Sequence, residues 1–134
     1  MTALLIALGA AVGAPLRYLI DRAVQARHRG GFPWGTLVVN VTGSLLLGFV
    51  IGAAASGANG AGDNGFAAAD GPLVALLGTG FCGALTTYST FGYETVRLHE
   101  RGETRAALGN AVLSVAAASV AAGTGLALAA ALWS

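Results

Sequence analysis

Charged residues interrupt this chain at only three places, and the stretches between them are long and apolar. The charges fall into three clusters: Arg17–Arg29, Asp63 with Asp70, and Glu94–Arg105. The intervening segments 30–62, 71–93 and 106–134 carry no charge. Each of them exceeds the roughly 20 residues that a helix needs to cross a bilayer. The pattern therefore predicts three membrane-spanning helices after the first charge cluster.

A shorter apolar segment opens the chain and continues through the first charges. Its apolar positions keep a helical spacing as far as Val24, while Arg17 and Asp21 share the opposite face. It has no basic start of the kind that begins a cleaved signal peptide. Together with the three segments above, it predicts four membrane helices, near 3–26, 34–55, 72–98 and 104–132.

Strands explain the pattern less well, because the runs are too long and lack the alternation of a membrane barrel. Residues 56–70, SGANGAGDNGFAAAD, have the Gly and Asn content of a flexible surface connection. The fold class expected is an all-α membrane protein, with residues 1–134 forming a single four-helix domain.

Composition agrees with a lipid environment, since only 10% of the residues are charged and 55% are hydrophobic. The net charge of +1 argues against nucleic acid as a partner. Cys82 is the only cysteine, so the chain can form no internal disulfide, and we interpret Cys82 as packing.

Small residues recur at the four-residue spacing that lets membrane helices approach closely. The spacing is present in Gly9-x-x-x-Gly13, and again in Ser44-x-x-x-Gly48-x-x-x-Gly52. Four such helices make a thin bundle, so we expect oligomerisation.

Polar residues lie where packing alone does not call for them. Asn40 is in the middle of an apolar span, so its amide must face protein or water. An interhelical hydrogen bond and a pore position both satisfy that need. The third span contains TGFCGALTTYSTF (79–91), in which glycines and hydroxyls predict either a kink or a true break. Broken helices in channels and transporters expose carbonyls that bind cations.

Three segments and the four-span length resemble the small bacterial fluoride channels, the Fluc or CrcB family. They are GAAVGAPLRY (9–18), GTLVVNVTGSLLLG (35–48) and TGFCGALTTYSTF (79–91). The resemblance implies an antiparallel dimer with two narrow pores and a passive, fluoride-selective export function. It also implies a multi-pass protein of the bacterial inner (plasma) membrane.

By motif position, the resemblance implies a role for several residues in the fluoride path. Asn40 matches an asparagine whose amide donates to the anion, and Arg17 matches an arginine near the aqueous vestibule. Tyr88 and Phe91 match two phenylalanines whose electropositive ring edges face fluoride. Ser89 and Thr90 match a hydroxyl track beside those rings. Asn110 and Ser114, four residues apart, fall at a loosely specified pore-side position.

The resemblance further implies a structural sodium ion at the dimer centre, held by backbone carbonyls of Gly83 and Thr86. On that reading the backbone conformation explains the glycine at position 83. Tyr88 departs from the family pattern, where phenylalanine is usual, and its added hydroxyl needs a partner.

All seven arginines flank the first and third connections, which a four-span chain places on one side of the membrane. The positive-inside rule predicts that this side is cytoplasmic and that both termini are outside. Such asymmetry favours a heterodimer with an oppositely oriented paralogue over a homodimer.

Two other function classes are alternatives to the channel. A proton-coupled small multidrug exporter needs a carboxylate deep in a span, and the uncharged segments contain none. A structural membrane protein that transports nothing would tolerate apolar residues at Asn40 and Phe91. An enzyme is not expected, because the spans hold no nucleophile–base pair.

Overall fold

The computed structural model describes residues 1–60 and 71–133, and that part of the chain is helical with no strand. Its elements are α1 (Thr2–Arg27), α2 (Trp34–Gly60), a π-helix (Val74–Cys82), α3 (Gly83–Leu85), α4 (Tyr88–Glu100) and α5 (Thr104–Leu132). The π-helix, α3 and α4 together form the third of four spans. By length and composition, α1, α2 and α5 are each apolar enough to cross a membrane. The predicted all-α, four-span fold class is confirmed.

The predicted bounds hold to within two residues, with one exception. α2 continues to Gly60 rather than ending near 55, so the first residues of the predicted 56–70 connection are helical. The rest of that connection, 61–70, lies outside the described residues.

Glycines bring two pairs of helices into backbone contact. α2 packs on α5, where a Cβ at Gly48 would collide with Ala122 O and one at Gly125 with Leu45 O. α1 packs on the π-helix, where a Cβ at Gly9 would collide with Leu76 O. These helices therefore meet by close approach of small residues, as membrane helices do.

Gly123 does not take part in this packing. It is exposed, and a Cβ there would meet nothing within 4 Å. Gly125, two residues later on the other face of α5, is the one that contacts α2.

The third span is interrupted at Thr86 and Thr87. α3 ends at Leu85, and Thr86 (φ −79°, ψ 159°) and Thr87 (φ −149°, ψ 125°) are extended before α4 starts at Tyr88. The predicted break is therefore real and two residues long. It follows the π-helix after the single short turn of α3. The π-helix is a wide-turn form that is rare and is frequently found at functional sites.

The explanation expected for glycine at position 83 is wrong. Gly83 has φ −61° and ψ −38°, which is ordinary right-handed helix that any residue adopts. A Cβ there would meet only Gly78 O, at 3.9 Å. Neither conformation nor crowding within this chain calls for glycine at 83.

Candidate functional site

Asn40 and Thr87 are joined by two hydrogen bonds across 47 positions of sequence. The amide Nδ2 of Asn40 donates to Thr87 O (3.0 Å), and Thr87 N donates to Asn40 Oδ1 (2.7 Å). The side chain of Asn40 thus makes the two hydrogen bonds to the main chain of Thr87 that a neighbouring strand would make to an extended residue. The interhelical hydrogen bond, one of the two expectations for Asn40, is present.

Thr87 also caps the helix that follows the break. Its Oγ1 accepts from Thr90 N at 3.3 Å, the N-cap arrangement that satisfies one of the unpaired amides at a helix start. Thr87 is 8% exposed, so its main chain and hydroxyl are satisfied away from solvent.

Because of these contacts, the amides of Thr87 and Thr90 do not donate to the carbonyls with which they would pair in an unbroken helix. In an α-helix the carbonyl of residue i accepts from the amide of residue i+4. The amide for Gly83 O is that of Thr87, which donates to Asn40. The amide for Thr86 O is that of Thr90, which donates to the Thr87 hydroxyl. The carbonyls of Gly83 and Thr86, which were expected to bind sodium, are therefore without their helical amide donors, because those amides donate to Asn40 and Thr87.

Long contacts replace the lost helical bonds at these carbonyls. Thr86 Oγ1 lies 3.4 Å from Gly83 O, and Arg17 Nη1 donates to Thr86 O at 3.4 Å. Carbonyl oxygens are hard ligands that suit a sodium ion. Gly83 is exposed, so its carbonyl can be reached from outside the subunit. The two groups fit a cation site that a second copy would complete.

An open groove of about 280 Å³ lies beside the break. It brings together four of the predicted pore residues, Asn40, Tyr88, Phe91 and Ser114. The rings of Tyr88 and Phe91 lie with centroids 5.8 Å apart and planes at 47°. Amide, hydroxyl and ring edges thus share one surface that is not enclosed by this subunit.

Tyr88 is the most exposed of these residues, at 85%. Its ring lines the groove and is open to the outside of the subunit. The hydroxyl that departs from the family pattern therefore costs the isolated chain no buried polar group.

Asn110 stands behind the groove and is 1% exposed. Its Nδ2 donates to Thr95 Oγ1 at 2.9 Å, and Ser114 Oγ donates to Asn110 Oδ1 at 3.3 Å. The predicted pair does share one face of α5, but only Ser114 lines the groove. Asn110 orients Ser114 and links it to α4.

Ser89, Thr90 and Arg17 do not line the groove. The hydroxyls of Ser89 and Thr90 lie 3.4 and 3.1 Å from Thr87 Oγ1, so they gather at the helix cap. Arg17 lies at the break, bonded to Thr86 rather than to Asp21 as its spacing allowed.

Sequence reasoning missed a second polar site. Within the part of the chain that the structure describes, Thr36 Oγ1 and Glu94 Oε2 are buried and make no hydrogen bond of good geometry, although the two side chains lie close enough to interact with each other. Glu94 is half-buried and lines a cavity of about 340 Å³ with Asp21, Arg97 and Arg101. The signal available in the sequence was the position of Thr36, one helical turn before Asn40 in the same apolar span.

Comparisons with known sequences show which proteins this chain is similar to. The family described as CrcB-like protein, Camphor Resistance (CrcB), matches residues 4–126. Fluoride-specific ion channel FluC 1 of Frankia casuarinae is 58% identical, over 99% of this chain and 99% of its own. FluC 1 of Streptomyces avermitilis is 54% identical, also over 99% of both chains. A relative named FluC 2, from Natronomonas pharaonis, is 46% identical over 98% of this chain and 97% of its own.

Proposed function

The chain belongs to the CrcB-like family, and we propose that it is a fluoride-selective channel that lets fluoride leave the cytoplasm passively. It is a multi-pass protein of the plasma membrane, with spans that suit lipid by length and composition. The observation that carries the proposal is the break at Thr86 and Thr87, clamped by Asn40 beside a groove with two aromatic rings.

The groove offers weak, spaced contacts of the kind that an anion path requires. An asparagine amide has two N–H donors, and Asn40 gives one of them to Thr87 O. We assign the other to fluoride. Ring edges of Tyr88 and Phe91 carry the positive part of the aromatic quadrupole, so they replace some lost hydration without trapping the ion.

Ser114 extends the polar surface along α5, and its orientation is fixed by Asn110. Ser89 and Thr90 do not line the groove, but we keep them as proposed members of the fluoride path. The Thr90 hydroxyl accepts from Thr87 Oγ1, so its own proton can be donated to an anion. Arg17 is proposed to raise the anion concentration at the mouth through its fixed positive charge.

Because the groove is open on one side, we propose that a second, antiparallel subunit encloses it. The same pairing brings Gly83 and Thr86 carbonyls from two subunits to one point. These carbonyls would hold a sodium ion there, which would supply positive charge to oxygens that have lost their helical hydrogen bonds. We propose that this ion is structural rather than transported. The open access at Gly83 supports this assembly.

The arginine asymmetry supports a fixed orientation. Gln25 near the end of α1 donates to Phe32 O, and a cavity joins Gly31 of the first connection to Arg101 after α4. Both arginine-flanked connections therefore lie at one end of the bundle. We propose that this end is cytoplasmic and that the partner is an oppositely oriented relative.

Fluoride efflux from liposomes tests the function. Vesicles loaded with fluoride or with chloride receive the purified protein, alone and co-expressed with its partner, and the released anion is measured with ion-selective electrodes. We expect fluoride to leave and chloride to stay. The proposal fails if no fluoride leaves even with the partner present, or if both anions leave equally.

A further inference from the structure

Arg17 reaches the break because of how α1 packs. Gly13, one turn earlier, lies against Phe81 O and the Cβ of Ala84, so the next turn of α1 faces the end of α3. Arg17 is half-buried there, and its Nη1 donates to Thr86 O at 3.4 Å. A permanent positive charge therefore lies on a carbonyl that has lost its helical amide.

The proposed sodium ion needs that same oxygen. We infer that Arg17 competes with sodium for Thr86 O and thereby sets the sodium concentration at which the site fills. This inference rests on the proposed function, because it concerns the site in which sodium is structural. It assigns Arg17 a role at the cation site in addition to the one at the anion mouth.

Two features make competition, rather than exclusion, the outcome. The contact is long for a charged donor, whose hydrogen bonds usually measure about 2.7–2.9 Å, so it is weak enough to be displaced. A guanidinium and a sodium ion at one carbonyl also repel each other. Removing the guanidinium should therefore let sodium bind at lower concentration, which is the opposite of what loss of a supporting residue would do.

A sodium titration of dimer stability tests this inference. The full chain is purified in its dimeric form, sodium is varied at constant ionic strength with N-methyl-D-glucamine, and the thermal midpoint and dimer fraction are recorded. For Arg17→Gln we expect the half-maximal sodium concentration to fall by at least about tenfold, since unit charges this close interact strongly even at an effective dielectric constant of about 20.

Arg22→Gln is the matched control. It removes the same charge from the same helix, but Arg22 is exposed and donates to Tyr18 within α1. Its sodium requirement should stay within about twofold of the original, because exposed charges are screened.

An unchanged or higher half-maximal sodium concentration for Arg17→Gln overturns the inference. If that variant does not assemble, Arg17→Lys decides, since its shorter side chain keeps the charge but withdraws from Thr86 O. A lower requirement in Arg17→Lys supports competition, and an equal or higher one contradicts it. If the original protein shows no sodium dependence at all, the sodium site of the proposed function fails and the inference fails with it.

Discussion

Two adjacent threonines in the break of the third span are treated very differently by the rest of the chain. Thr87 is buried, paired twice with Asn40 and bonded to Thr90 N. Thr86 is partly exposed, and its carbonyl has lost its helical hydrogen bond. Only the long contact from Arg17 replaces that bond. Within one subunit, the hydrogen bonds of Thr87 are satisfied, and we call this part of the break the closed half. The carbonyls of Gly83 and Thr86 have only long contacts, and we call them the open half.

This difference shows how a membrane protein can keep irregular backbone in lipid. Backbone groups at membrane depth must find partners, and a break is tolerated only where protein, water or an ion supplies them. The closed half holds the break open, and the open half is available for a ligand. Loss of the first should therefore destroy the second, while the reverse should not hold.

Asn40→Leu should have the largest effect, because it removes both bonds of the closed half. Two buried main-chain groups of Thr87 lose their partner, at about 1–3 kcal/mol each, so we expect a loss of roughly 2–6 kcal/mol in unfolding free energy. Thermal unfolding in detergent measures the loss, and fluoride efflux should fall to background.

Ser44→Ala is its control, since Ser44 lines the same groove. It should stay within about 0.5 kcal/mol of the original. A stable Asn40→Leu protein that still conducts fluoride would show that the clamp does not hold the break.

Gly83→Ala tests the open half. Nothing within the subunit opposes a methyl group there, so the subunit should fold normally. If a second copy packs on this point, the methyl group overpacks the interface by about 1–3 kcal/mol, and the dimer dissociation constant rises about tenfold or more. Light scattering after size exclusion measures the change.

Gly123→Ala provides the comparison, because Gly123 is equally exposed and open but lies on α5. Its dimer should be unaffected. A Gly83→Ala protein that dimerises as tightly as the original would place the open half against lipid instead of a partner.

Thr87→Val removes the cap while keeping the shape of the side chain. Loss of an N-cap costs about 1 kcal/mol, and Thr87→Ser should restore most of it. The freed amide of Thr90 can then return to Thr86 O, so sodium dependence should weaken as well. Thr124→Val is the control, since the Thr124 hydroxyl is exposed and bonds within its own helix. Equal losses of stability in Thr87→Val and Thr124→Val would show that the Thr87 cap does not stabilise the helix that follows the break.

Tyr88→Phe should have the smallest effect. The ring edge is kept and the hydroxyl belongs to an 85% exposed side chain, so stability should change by less than about 0.5 kcal/mol. The efflux rate should change by less than about threefold. Phe91→Leu, which removes a ring from the same groove, should reduce the rate far more. A tenfold gain in Tyr88→Phe would mean that the tyrosine hydroxyl obstructs the path.

Much of the fold follows from the sequence because lipid leaves few choices. The charge-free lengths predicted three spans, the helical spacing of apolar residues predicted the first, and the glycines and hydroxyls of residues 79–91 predicted the break. The pairing of Asn40 with Thr87 could not be predicted, because one sequence shows only that a buried amide needs some partner. Several hydroxyls near the break were possible helix caps, and nothing local singled out Thr87.

Other features depended on how helices meet. Gly123 and Gly125 look alike in the sequence, yet only Gly125 contacts α2. Backbone conformation was expected to explain the glycine at position 83, but that conformation is ordinary helix. The Thr36 and Glu94 atoms are 58 positions apart, so only the packed structure shows that both are buried. The π-helix has no signal in the sequence that we can identify.

The most direct test of the account is a high-resolution cryo-EM map of the purified dimer in lipid nanodiscs with sodium. It should show a cation between the subunits, contacted by the Gly83 and Thr86 carbonyls, with Asn40 still bonded to Thr87. A map in which those carbonyls face acyl chains, or in which α3 runs unbroken into α4, would contradict it.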